Sequence, residues 1–372
     1  MIYLDNAATS LIKPVTVERA VRRAMSAMAS PGRGGHKPAM LAAETVYKCR
    51  EAAAELFSTD APESVVFTMN ATHALNIAID SLVRENTRVL VSGFEHNSVT
   101  RPLTALNAKI MVAGRKLFDR EAVLNDFADK IKHVDVAVCT YVSNVFGFIL
   151  PIYDIACLCR EHFVPLIVDA SQAAGVLPVN FKKLGAEFVA MPGHKGLFGP
   201  QGTGILLSGD RGRPLIHGGS GSDSSLQHMP EYLPDRLEAG THNVCGIAGL
   251  LAGIEYVKQT GTEKILAHEQ SLLQQAVREL SGIEGLELFT GDRKCQSGVL
   301  SVRSSKLDCE SLAAALAEQN ICVRAGLHCA PYAHKSAGTF DSGTVRLSFS
   351  PFTDESHIHT AAEAIKQIIY NF

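Results

Sequence analysis

Short runs rich in valine and isoleucine alternate with segments of helical spacing through the first two-thirds of the chain, at residues 88–92, 109–112, 134–141, 166–169, 188–191 and 204–207. Runs this short and this apolar read as strands buried on both faces, and helical patterns such as 154–162 lie between them. The alternation implies a mostly parallel sheet covered by helices, an α/β architecture in which ligands gather at the carboxyl ends of the strands. A chain of 372 residues exceeds the ~250 to 300 at which a single core stops growing, so roughly two domains are expected. The pattern changes after a long apolar helix at 243–259: helix, strand, helix, strand follow at 263–280, 299–303, 311–318, 321–324 and 344–348, with a last helix from Asp354. That is the grammar of a smaller α+β unit. The expected division is a large domain over residues 16–254 and a small domain formed by residues 1–15 with 255–372. Residues 212–225, rich in Gly and Ser, read as a mobile active-site loop.

Composition excludes several classes of function. With 46 % hydrophobic and 20 % charged residues the chain has ample apolar groups for a core, so disorder is excluded. Its net charge of −3, with no basic run, argues against nucleic acid as a partner. The N-terminus lacks a basic leader region, and the longest apolar stretch, 244–254, is too short to span a membrane. These features lead us to expect a soluble, cytoplasmic protein. Nine cysteines, an odd number without CxxC pairs, point to reduced thiols and to no structural metal.

Chemistry concentrates where predicted strands end. Asp169 closes the run Leu166-Ile167-Val168-Asp169, where a buried carboxylate needs a cation. Lys195 stands in the glycine-rich turn Gly193-His194-Lys195-Gly196 after the next strand. An aspartate for a pyridinium nitrogen and a lysine for a covalent hold are what pyridoxal 5'-phosphate (PLP) asks of a protein. Between the strand at 65–68 and the helix pattern at 73–82, the N–H groups of Ala71 and Thr72 and the Thr72 hydroxyl are free to take a phosphate, although a plain helix cap has the same signature. His96 follows the strand at 88–92, placed to stack on a planar ring or simply to occupy a surface loop.

Seven segments in this order resemble the class V aminotransferase family: Tyr3-Leu4-Asp5-Asn6-Ala7-Ala8-Thr9, Glu95-His96-Asn97-Ser98, Val142-Ser143-Asn144, Asp169-Ala170-Ser171-Gln172, Gly193-His194-Lys195, Glu238-Ala239-Gly240-Thr241 and Arg324-Ala325-Gly326-Leu327-His328-Cys329-Ala330. Within it the chain is most similar to the cysteine desulfurases and selenocysteine lyases of the SufS-like branch. The resemblance implies fold type I of the PLP-dependent transferases, a large domain with a mostly parallel seven-stranded sheet plus a smaller α+β domain. It implies that Lys195 bonds to the cofactor, Asp169 pairs with the ring nitrogen, Gln172 contacts the phenolic oxygen, and His96 stacks on the ring and moves protons. Asn144 is expected near the ring oxygen and the substrate carboxylate. Ala71, Thr72 and His194 are expected at the phosphate, with Thr241 reaching in from the second subunit of a homodimer. Arg346 matches the family arginine that grips the substrate carboxylate as a fork. His36 corresponds to a histidine near the reactive cysteine, or is a plain loop histidine. Pro192 departs from the pattern, since related proteins commonly carry a serine whose hydroxyl touches the phosphate, and proline cannot donate.

Cys139, inside an apolar run, reads as an inert core thiol, whereas Cys329 lies in a loop between His328 and Pro331. An ordinary thiol of pKa ~8.5 is only about 3 % thiolate at pH 7, so a nucleophilic role calls for cations close by, such as Arg324, Arg346 or a histidine. The expected function is PLP-dependent desulfuration of L-cysteine to L-alanine, with sulfur passed to Cys329 as a persulfide and from there to an acceptor or scaffold protein. The alternatives are lysis of L-selenocysteine, a C–S lyase or aminotransferase of the same fold, and a non-catalytic PLP-binding homologue.

Overall fold

The computed structural model describes residues 1–32, 34–59 and 61–371. The first half contains β1 (Ile2–Tyr3), α1 (Val15–Ala27), α2 (Lys37–Phe57), β2 (Val65–Thr68), α3 (Ala71–Leu82), β3 (Arg88–Ser92), α4 (Asn97–Ala105), β4 (Lys109–Ala113), α5 (Arg120–Lys130), β5 (Val136–Thr140), α6 (Ile152–Glu161) and β6 (Leu166–Asp169). There follow α7 (Phe181–Leu184), β7 (Phe188–Pro192), β8 (Gly204–Ser208), α8 (Val244–Thr260), α9 (Thr262–Leu280), β9 (Leu286–Phe289), β10 (Val299–Ser304), α10 (Cys309–Glu318), β11 (Ile321–Cys322), β12 (Arg324–Gly326), α11 (Pro331–Ala337), β13 (Thr344–Ser348) and α12 (Glu355–Tyr370).

Seven strands form the main sheet in the order β2-β8-β7-β6-β5-β3-β4. The four junctions from β7 to β4 are parallel, and β8 runs antiparallel to both of its neighbours. Alternate residues of the strands point to opposite sides, each of which is covered. Val89 and Val91 pack with α3 and α4, while Leu90 faces the core lined by α2, α5, α6 and α8. Burial on both faces is why these strands read as unbroken apolar runs. α8 is apolar for the same reason, since α1 and α2 both pack against it.

The C-terminal third builds an antiparallel sheet of four strands, β12-β13-β10-β9, with its own apolar cluster from α9, α10 and α12. The strand expected at 321–324 is two strands. β11 pairs in parallel with β1, and after Val323 the chain changes partner so that β12 pairs with β13. The first residues thus join the C-terminal unit, and Asp5 continues the link by bridging to Ser348.

The turn bearing Lys195 is held by backbone contact. A Cβ on Gly175, whose φ is +84°, would lie 2.0 Å from the Gly196 carbonyl oxygen, and one on Gly196 would lie 2.4 Å from that of Ala174. Only glycine permits this approach between the turn after β6 and the turn after β7. Gly175→Ala is expected to lose about 2 kcal/mol or more, read as a lower urea midpoint with an unchanged slope.

Candidate active site

The carboxyl ends of β2, β3, β5, β6 and β7 open onto a cleft closed on its other side by residues of the C-terminal unit. Ten of the twelve residues singled out from sequence line it: Lys195, Asp169, Gln172, His96, Asn144, Ala71, Thr72, His194, Cys329 and Arg346. Thr241 and His36 lie elsewhere in this chain. Thr241 sits exposed in a separate pocket with Phe67, His73 and Ile216, on a turn fastened by the buried Arg50–Glu238 ion pair, where Arg50 Nη1 lies 2.7 Å from Glu238 Oε1. Residues 212–225 contribute Ile216 to that pocket and nothing to the Lys195 cleft. His36 caps α2, its Nδ1 accepting from the Ala39 N–H at 3.4 Å.

Asp169 forms the floor. Only 4 % exposed, it accepts the Ser171 N–H on Oδ1 at 2.9 Å, and it ends β6 facing the cleft. Behind it Glu95 accepts the Thr140 N–H at 2.8 Å and the Ser92 hydroxyl, while its Oε2 has no partner among the described residues. Burial pushes Glu95 up to about 8, so it stays a neutral acid at pH 7. Above the floor, burial pulls the Lys195 ammonium down to about 8, against the pull of Asp169 and with the push of Arg346 and Arg324. A lysine at that value is within reach of both protonation states near neutrality.

His96 caps α4. Its Nδ1 accepts the Ser98 backbone N–H at 3.0 Å, so in the neutral ring the proton sits on Nε2. Burial lowers its pKa to about 4, which keeps it neutral. Ser98, given no role from sequence, places its hydroxyl 2.9 Å from His96 Nδ1 and 2.8 Å from Thr72 Oγ1, joining two candidate cofactor contacts. At the start of α3, Asn70 caps the His73 N–H at 2.9 Å, leaving the N–H groups of Ala71 and Thr72 as an anion seat. His194 borders the cleft with Nδ1 3.1 Å from Thr9 Oγ1. Pro192, the last residue of β7, also lines the cleft and brings neither a hydroxyl nor an N–H.

Arg346 is only 2 % exposed and already engaged. Nη2 meets Asp5 Oδ1 at 2.7 Å, Nη1 donates to the Asn144 carbonyl at 2.9 Å, and Nε has no partner among the described residues. Asp5 therefore belongs to the site. It is part of an N-terminal strap: the Ala7 N–H donates to Ser348 Oγ at 2.8 Å, Gln172 Nε2 donates to the Ala7 carbonyl at 2.9 Å, and the Ser10 N–H donates to the His194 carbonyl at 3.0 Å. Cys329 stands exposed on the loop between β12 and α11. Five of the other eight cysteines are buried, Cys139 among them. Among the described residues no group of three His, Cys, Asp or Glu side chains is arranged to hold a metal, and no helix is long and apolar enough to cross a membrane.

The sequence matches the family Aminotransferase class-V over residues 2–360. The chain belongs to this family. Its relatives include a probable cysteine desulfurase of Pyrococcus abyssi, 31 % identical across 99 % of this chain and 94 % of that protein. Another, from Methanothermobacter thermautotrophicus, is 30 % identical over the same shares. Among solved structures, the apo cysteine desulfurase of Thermococcus onnurineus superposes with a TM-score of 0.91 at 29 % identity, covering 100 % of this chain and 95 % of that one. A cysteine desulfurase from Escherichia coli, at 24 % identity and TM-score 0.86, shares the fold. Class V enzymes are PLP-dependent.

The buried titratable groups give this class V enzyme a defined acid response. Burial holds His96, His194 and His334 at about 4 and His328 at about 2, against an ordinary 6.5. Below pH 6.5 the unfolded chain takes up protons that the native histidines refuse, so stability falls with falling pH. Glu95 and Glu269 act with the opposite sign. Burial raises both above 4.5, so the native state keeps protons that the unfolded chain has released, and stability falls as pH rises, for Glu95 until about 8. Five histidines, His73 lowered by burial among them, against two glutamates give rising stability from pH 4.5 to 6.5. The melting temperature of the apo protein is expected to rise from pH 4.5 to 6.5; a profile flat or falling over that range would contradict the assignment of neutral buried histidines.

Proposed function

We propose that the chain is a PLP-dependent cysteine desulfurase that converts L-cysteine to L-alanine and receives the sulfur on Cys329. The observation that carries this reading is an exposed thiol facing the same cleft as a half-buried, low-pKa lysine and a strand-end carboxylate. The named relatives support it. The donor set suits PLP group by group. Asp169 offers a fixed negative charge to a cationic ring nitrogen, the Ala71 and Thr72 N–H groups with the Thr72 hydroxyl and His194 suit a phosphate, and Lys195 suits the aldehyde carbon. When bound, PLP supplies an electron sink that weakens the substrate's bonds at Cα and, through Cα, the bond from Cβ to sulfur.

The remaining tasks fall to side chains. Lys195 Nζ takes the Cα proton and holds it, as its position near pH 8 allows. His96 presents Nε2–H to the cleft with its other nitrogen tied down. Gln172 and Asn144 orient groups near the ring oxygen. Arg346 receives the substrate carboxylate, a second anion competing with Asp5 for the same fork. Cys329, as thiolate, attacks the substrate sulfur: an S–S bond forms, the Cβ–S bond breaks, and its electron pair is protonated at Cβ. Thiol plus cysteine becomes persulfide plus alanine, with no external oxidant. On this reading the working unit is a homodimer in which Thr241 of one subunit completes the partner's phosphate seat, the domain boundary falls near residue 254, the protein works in the cytoplasm, and an acceptor protein collects the sulfur. L-Selenocysteine presents the same carboxylate and amine, so the two substrates are separated by assay.

Borohydride reduction of PLP-loaded protein followed by peptide mapping is expected to place the pyridoxyl group on Lys195; label on another lysine would move the cofactor's attachment. Cys329→Ser is expected to keep the absorbance change on adding L-cysteine while alanine and persulfide production drops by about a hundredfold or more. Alanine formation at the parental rate would reduce Cys329 to a bystander and make the enzyme a C–S lyase.

A further inference from the structure

Cys329 sits on a backbone that must be forced into place. His328 and Cys329 have φ of +48° and +56°, two consecutive non-glycine residues in the left-handed region. Each such residue is strained and persists only where its surroundings over-determine it. The surroundings do so from two sides. From the main sheet, Asn144 Nδ2 donates to the His328 carbonyl at 2.7 Å, and the Asn97 N–H, at the start of α4, donates to the Cys329 carbonyl at 2.7 Å. From the C-terminal sheet, the hold comes through one side chain. His328 Nε2 lies 3.1 Å from the Thr344 carbonyl and 3.2 Å from Thr344 Oγ1.

A carbonyl can only accept, so His328 carries its proton on Nε2 and donates to the backbone of β13. Nδ1 is bare and has no partner among the described residues. The ring is 5 % exposed and packs on His334, centroids 5.7 Å apart and planes 31° apart. Thr344 pairs with Gly326 in the β12–β13 ladder, and Arg346 follows two residues later on the same face of β13. The loop therefore leaves β13's neighbour at Gly326 and is tied back to β13 at once, beside the arginine that receives the carboxylate.

We propose that His328 is a positioning residue for Cys329, tying the thiol's loop to the strand that carries Arg346 so that nucleophile and carboxylate seat are held in one register. The proposal rests on the desulfurase reading for its purpose, but the tie itself does not require it. The distance from a substrate's carboxylate to its sulfur is set by its covalent chain. A thiol held in register with Arg346 meets that sulfur without searching, and a misplacement of about 1 Å costs roughly a hundredfold in rate.

The test compares His328→Phe, which keeps the ring's bulk and loses the donor, with His328→Gln, whose amide N–H reaches the same carbonyl, in PLP-loaded protein. In the phenylalanine variant kcat for L-cysteine is expected to fall roughly 10- to 100-fold, while the affinity for L-alanine, read from cofactor absorbance, stays as in the parent. Peptide-resolved alkylation by iodoacetamide is expected to change at Cys329 and not at Cys157, the other exposed thiol. The glutamine variant is expected to recover to within a few-fold. Parental kcat and parental Cys329 alkylation in His328→Phe would overturn the proposal, as would a glutamine variant no better than phenylalanine. Should the phenylalanine variant fail to fold, His328→Asn, too short to reach Thr344, takes its place with the same expectations. If Cys329→Ser desulfurates normally, the functional reading fails, and the alkylation comparison still decides the tie.

Discussion

A carboxylate at the end of a fully buried strand is the constraint on which the site turns. Asp169 cannot move to solvent, because the β-ladder fixes its backbone between Thr140 and Ala190 and the sheet is covered on both faces. Glu95 behind it is uncharged at pH 7, because burial keeps it protonated. The carboxylate faces the cleft, and the lysine and arginines that line the cleft with it are Lys195, Arg324 and Arg346. A site of this kind is organised to receive a group that is positive at one end and negative at the other, and the free N–H groups at the start of α3 supply the second pole.

The N-terminal strap follows from the same charge arrangement. Arg346 is too deeply buried to stand unpaired, and Asp5 supplies the anion at 2.7 Å. That pairing fixes the fork in position before any substrate arrives, so little ordering remains when a carboxylate comes in. The same segment bonds Gln172, His194 and Ser348, so residues 5 to 10 stitch the Lys195 turn, the Asp169 turn and β13 together. The strap and the C-terminal unit act as one wall, although nearly the whole chain separates them in sequence.

That separation marks the boundary of what sequence could reveal. Strands β3 to β8 are legible because a strand buried on both faces is an unbroken apolar run, and Asp169, Lys195 and His96 are legible because they stand where such runs stop. β1 is two residues long and pairs with β11 more than three hundred residues away, so it has no local signal. The break at Val323 is invisible for a similar reason, since the residues on either side are equally compatible with one strand. Asp5 reads only as part of a motif until its partner, 341 residues on, is seen beside it. Thr241 and His36 lie outside the cleft in this chain, since neither follows the carboxyl end of a strand of the main sheet.

The two halves of the chemistry sit on structures of opposite character. The groups proposed to hold a ring and a phosphate end the strands of the main sheet, cap its helices or stand on the turns that follow them. The thiol stands exposed on a strained loop tied down through Asn144, Asn97 and His328. On the reading proposed here the difference is functional. A cofactor seat gains from immobility, but a sulfur carrier has two tasks, meeting the substrate inside the cleft and surrendering its cargo outside it. A thiol rooted in the sheet would perform the first and be sealed away from the second. Placing it on a loop whose strain is balanced by a few breakable bonds lets one residue serve both sides, because release of those bonds also releases the strain that they hold.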